Sequence, residues 1–111
     1  MKLEEYLKSK KSYDINTIIS LLEEQGEFYA MSFSRFPKAA EYLSEKIQGN
    51  NCLLIFTSEN MAKKAGYKKW HISKYLLSDL EKLLTASKCD SICINYGVNW
   101  VVLQLKRENT P

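Results

Sequence analysis

The chain has 111 residues, of which 45% are hydrophobic and 26% charged, with a formal net charge of +3. That length suits one core and is too short for two, and the composition is that of a folded globular protein, so neither a metal nor a disulfide is required to hold it together. The four glycines are too scattered to form the phosphate-cradling turns of dinucleotide-binding or P-loop folds, and the single histidine, His71, excludes chemistry that needs two imidazoles.

The opening reads as a helix on Leu3, Tyr6 and Leu7. A second helix follows on Ile15, Ile18, Ile19 and Leu22, with Asp14 placed to cap it and Gly26 to end it. Glu27–Phe33 is short and aromatic-rich, which predicts a strand. Pro37 suits the first turn of a helix, and Ala40, Leu43 and Ile47 share a stripe, so a helix is expected from Pro37 to Gln48, ending at Gly49. Cys52–Phe56 is a continuous apolar run, the mark of a central strand covered on both faces. Ser58 is placed to cap a short helix bearing Met61, Ala62 and Ala65 and closed by Gly66. Lys68–Ile72 reads as a weaker strand. Ser78-Asp79-Leu80-Glu81 reads as a capping box opening a helix that carries Leu80, Leu83 and Leu84. Ser91–Asn95 and Asn99–Leu105 predict an antiparallel hairpin turned by Tyr96-Gly97-Val98, with Val101, Leu103 and Leu105 on one face and Trp100, Val102 and Gln104 on the other.

This order predicts a mixed α/β single domain over residues 1–111. Two N-terminal helices occupy 1–26, a β-α-β-α-β-α-β-β core with a mostly parallel sheet and an antiparallel C-terminal hairpin occupies 27–105, and 106–111 is a polar tail. Met1–Lys11 lacks the apolar core and cleavage site of a secretory signal, and no apolar run is long enough for a membrane span, so a cytoplasmic location with no membrane partner is expected. Cys52, Cys89 and Cys93 are an odd set, for which reduced, buried thiols are the expectation.

Charge is concentrated in one place. Between Asn60 and Tyr75 stand five lysines, Lys63, Lys64, Lys68, Lys69 and Lys74, and no acid, while the rest of the chain is slightly acidic. Tyr67 and Trp70 interleave with them. Lys63, Lys64, Tyr67, Lys68, Lys69 and Trp70 therefore form a basic-aromatic patch suited to an acidic protein surface or to RNA. The plainer reading is a solvated helix end beside an edge strand whose lysines discourage aggregation. No motif joins His71 to a nucleophile and an orienting group, the cysteine spacing is not that of a zinc knuckle, and the pairs Glu4-Glu5 and Glu23-Glu24 read as solvated helix faces. No catalytic residue, metal or cofactor is expected. Phe28, Tyr29, Phe33 and Phe36 gather around the first strand, where they serve either as core or as anchors for a partner.

Three stretches together, LLIFTSENMAKKAG from Leu53, LLSDLEKLL from Leu76 and SICINYGVNWVVLQL from Ser91, resemble the SseB N-terminal domain family. The likeness rests on the Phe56-Thr57-Ser58-Glu59 strand-to-helix turn and on an apolar strand ending at Asn95, and it spans Phe28 to Leu105. Where the family often has proline after that asparagine, this chain has Tyr96-Gly97. The resemblance implies a small bacterial domain without an active site, of a kind found near secretion systems and polymorphic toxins. It thus implies a cytosolic immunity protein that neutralises a cognate toxin by stoichiometric binding, which needs a rigid scaffold and roughly 800 Å² of complementary surface rather than catalytic groups. An RNA-binding module on residues 63–74 and a small cysteine-dependent enzyme using His71 are the alternatives.

Overall fold

The computed structural model describes residues 1–9, 12–35 and 41–105. Helices α1 (Leu3–Ser9) and α2 (Ile15–Gln25) form where the apolar periodicity places them. The Asp14 carboxylate accepts hydrogen bonds from the Thr17 amide (3.2 Å) and hydroxyl (2.6 Å), closing the start of α2. Gly26, at φ +73°, ends α2 by donating its N–H to the Leu22 carbonyl at 3.0 Å. The two helices are stitched by Tyr13, whose hydroxyl donates to the Leu7 carbonyl, and by the Asp14 amide, which donates to the Tyr6 hydroxyl.

The strands are β1 (Glu27–Ser32), β2 (Ser44–Ile47), β3 (Asn50–Phe56), β4 (His71–Leu76), β5 (Ser91–Ile94) and β6 (Val101–Gln104), and the remaining helices are α3 (Glu59–Lys64) and α4 (Leu80–Ser87). The sheet order is β4-β1-β3-β5-β6, with β2 paired to β3 beside β1. The class is mixed α/β, as expected, but the sheet is mostly antiparallel: among the described residues only β3 and β5 run parallel, with Leu53 opposite Ile92.

The cause is the segment expected to be a crossover helix. Residues 41–47 instead form a bridge, with Tyr42 opposite Ser32, and then β2. Its predicted start at Pro37 and Ala40 lies outside the described residues. Without a crossover the chain doubles back and returns to the same edge of β3: Tyr29 and Ala30 of β1 face Phe56 and Ile55, and Ser44 of β2 faces Leu53. Leu43 donates to the Met31 carbonyl at 2.8 Å, joining the two strands end to end. Gln48 and Gly49 close the β2–β3 hairpin with φ of +52° and +81°, the positive values that a two-residue hairpin turn requires at both positions.

Three smaller corrections follow the same logic. The strand expected at Lys68–Ile72 begins at His71, where pairing with Ser32 starts, and runs to Leu76. The capping box is not formed: Leu77–Asp79 is a 3-10 turn, and Asp79 caps α4 without a side-chain hydrogen bond. The last hairpin turns through Asn95–Trp100 rather than three residues, with Asn95, Gly97 and Asn99 all at positive φ. Phe36 and the tail 106–111 lie outside the described residues.

Strand alternation sends side chains to two cores. Phe28, Ala30, Leu53, Ile55, Ile92, Ile94 and Leu103 pack under α1, α2 and α4. Met31, Cys52, Leu54, Phe56 and Cys93 pack under α3, which supplies Met61 and Ala62. One short helix does not span that face, so Tyr67, Trp70, Tyr96 and Val98, from the connections around it, complete the cover. Among the described residues no helix is long and apolar enough to cross a membrane.

Candidate functional site

Helix α3 ends on Lys63 and Lys64, at the carbonyl end where the helix dipole favours cations. Lys63 also pairs with Glu59 one turn back at 3.3 Å. Tyr67, past the reversal at Gly66, is half-buried against the α3-side core; burial, with Glu45, Tyr96 and Cys93 nearby, pushes its hydroxyl pKa up. Lys68 and Lys69 stand exposed on the turn into β4, and no carboxylate among the described residues forms an ion pair with either. Trp70 is half-buried, and its ring meets that of Phe33 edge-on, with centroids 5.8 Å apart and an interplanar angle of 80°. Since Ser32 faces His71, Phe33 and Trp70 are the next pair along, a cross-strand aromatic contact one step beyond the ladder.

The structure therefore divides the six patch residues. Lys63 is paired within α3, Lys64 stands exposed at its end with its charge acting on Glu4, and Tyr67 packs on the core. Lys68 and Lys69 are exposed, and the half-buried Trp70 next to them meets the ring of Phe33, which is 62% exposed. Beyond them the α3-facing side of β4 carries Ile72, Lys74 and Leu76; Lys74 leans to Glu27 of β1 at 3.7 Å, and Leu76 is 60% exposed.

A second feature was not foreseen. A cavity of about 520 Å³ opens beside the carboxyl end of β3, lined by Lys2, Glu4, Gln25, Glu27, Tyr29, Thr57 and Ser58 among others. Sheets with parallel strands tend to place ligands at such ends. Part of its polar lining, Glu4, Gln25, Thr57 and Ser58, is held in a hydrogen-bond network with buried Asn95. Asn95 is buried, its Oδ1 accepting the Thr57 amide at 2.9 Å and its Nδ2 donating to the Thr57 Oγ1 at 3.0 Å. The Glu4 Oε1 accepts hydrogen bonds from the Thr57 and Ser58 hydroxyls at 3.0 and 2.9 Å, while Ser58 Oγ accepts the Met61 amide as the cap of α3. Gln25 adds bonds to the Thr57 and Glu27 carbonyls. Glu4, read from the sequence as part of a solvated face, is thus the side chain that ties α1 to the β3–α3 turn.

Burial raises the pKa of Glu4, but the Ser58 and Thr57 hydroxyls and the charges of Lys8 and Lys64 outweigh it and hold the carboxyl below the ordinary glutamate value of 4.5. A lowered pKa makes this carboxylate a weaker base, and its hydrogen bonds clamp α1 to the β3–α3 turn. Because the folded value is depressed, the stability Glu4 contributes is complete above pH 4.5 and is lost as pH falls through the folded value. Urea titrations should therefore show the wild-type advantage over Glu4→Gln shrinking as pH is lowered from 6 to 3. A constant difference would count against the clamp.

Cys52, Cys89 and Cys93 are buried and form no disulfide. Burial, with Cys52 adding to it, pushes the Cys93 thiol up to about 12, and Cys52 is raised mainly by burial. His71 is exposed at the sheet edge, away from the Cys52–Cys93 side of the core. Thiol labelling of the native protein should accordingly proceed only as fast as the chain opens, and a rapidly modified cysteine would favour thiol chemistry. Among the described residues no group of three or more His, Cys, Asp or Glu side chains is placed to hold a metal ion. Compared with known proteins, the chain matches no family model and no curated protein.

Proposed function

We propose that the chain is a non-enzymatic protein-binding domain that presents Lys68, Lys69, Trp70 and Phe33 to an acidic protein surface. The observation that carries this reading is the pairing of two lysines lacking ionic partners among the described residues with an exposed aromatic contact. Aromatic anchors rimmed by charge are what concentrate binding energy and steer association in protein interfaces. In the cleft beside β3, by contrast, Glu4, Thr57 and Ser58 are spent on internal hydrogen bonds. The SseB-like stretches supply the specific form: a bacterial, cytoplasmic immunity protein whose partner is a toxin domain, neutralised one to one.

The test is affinity capture from the native source with wild type and with the double variant Lys68→Glu/Lys69→Glu. Wild type should retain an equimolar partner, and the variant should bind it about tenfold more slowly at low salt, with weaker salt dependence. Equal capture by both proteins would place the interface elsewhere. Retention of RNA by wild type at raised salt, lost in the variant, would favour nucleic acid as the ligand.

A further inference from the structure

We infer that the outer edge of β4 takes an extended acidic segment of the partner as an added strand. This rests on the reading of the Lys68–Trp70 surface as a protein-binding site and assigns its mode of engagement.

β4 ends the sheet, and among the described residues its strand pairing is with β1 alone. That pairing runs without a break from Glu27–Leu76 to Ser32–His71, so β4 is regular, with no bulge or proline to spoil a template. Its six residues span about 20 Å, the length of a typical strand. Lysine is a usual guard against unwanted pairing, but the one lysine within β4, Lys74, leans inward to Glu27. The other lysines, Lys68 and Lys69, stand at the entrance to the strand. β6, at the opposite edge, is shorter and uncharged.

The side chains along β4 indicate which segment fits. On the α3-facing side the sequence of surfaces is Trp70 with Phe33, Ile72, Lys74 and Leu76. A strand laid antiparallel to β4 would place apolar residues opposite Leu76 and Ile72, an acid opposite Lys74, and further acids past Trp70 against Lys68 and Lys69. Main-chain hydrogen bonds would supply affinity, and these alternate positions would supply selectivity.

The probe is the synthetic peptide VTETVTDED, together with two versions N-methylated on alternate residues, titrated into the full chain with amide exchange followed along β4. The expected result is binding that slows exchange of alternate amides within 71–76. One N-methylated version, the one whose lost amides face β4, should bind about tenfold more weakly, and so should the unmodified peptide to Lys68→Glu/Lys69→Glu. No binding of the peptide, or equal binding of all three versions, overturns strand addition. Equal binding of the three combined with loss in the charge-reversed variant leaves the protein-binding reading standing, whereas unchanged peptide binding and unchanged partner capture in that variant remove both. A concentration-dependent dimer that protects β4 without peptide, or an RNA oligonucleotide that protects the same amides, overturns the acidic-segment assignment.

Discussion

Replacing Asn95 by alanine is expected to destabilise the fold by about 2–5 kcal/mol, read as a lower urea midpoint with an unchanged slope. Two costs combine. The Asn95 side chain is the partner of the Thr57 amide at 2.9 Å, and the residue is only 2% exposed, so truncation leaves a donor without its acceptor in the interior. An unpaired buried donor costs about 1–3 kcal/mol. The backbone of Asn95 also sits at φ +57°, a conformation that asparagine tolerates and alanine resists at about 1–2 kcal/mol. Asn95→Gly relieves the second cost and not the first, so it should fall between alanine and wild type. If both variants matched wild type, the link between the ends of β3 and β5 would contribute nothing to stability.

Truncation of Trp70 to alanine is expected to act on binding instead. Trp70 stands at the junction of the exposed Phe33 ring and the lysine-bearing turn, half-buried against the α3-side core. Large aromatics in such positions carry a disproportionate share of interface energy, so the captured partner should bind Trp70→Ala at least ~2 kcal/mol more weakly, roughly thirtyfold in Kd. The cost in folding stability should be smaller, because the side chain is only partly withdrawn from water and the strand it leads into is the outermost one. Calorimetric titration against the partner, set beside urea unfolding of the free variant, separates the two. Equal losses in both would make Trp70 a packing residue and leave the proposed surface without its anchor.

What could be read from the residues alone follows a physical division. α1 and α2 were legible because their apolar residues recur at helical spacing and their caps are local, with Asp14 and Gly26 acting within four residues. β3 was legible because a continuous apolar run has no other comfortable place than the middle of a sheet. Segment 41–47 misleads for a specific reason: Leu43 and Ile47, four apart, share a face in a helix and equally in a strand, so their spacing does not choose between them. Pairing with β3 across the Gln48-Gly49 turn makes the choice, and that is a tertiary contact. The site divides the same way. Lys68, Lys69 and Trp70 stand out by local density of charge and ring, whereas Phe33 joins them only through the β1–β4 register. Glu4 meets Thr57 and Ser58 across more than fifty residues of chain, a distance over which no spacing rule operates.

The most direct measurement is amide hydrogen exchange on the purified one-to-one complex with the captured partner. Slowed exchange concentrated on residues 67–76 and around Phe33, with the surroundings of Glu4, Gln25 and Ser58 unchanged, is the predicted pattern. Protection centred on that carboxylate-lined cavity, with β4 exchanging as in the free protein, would contradict the account.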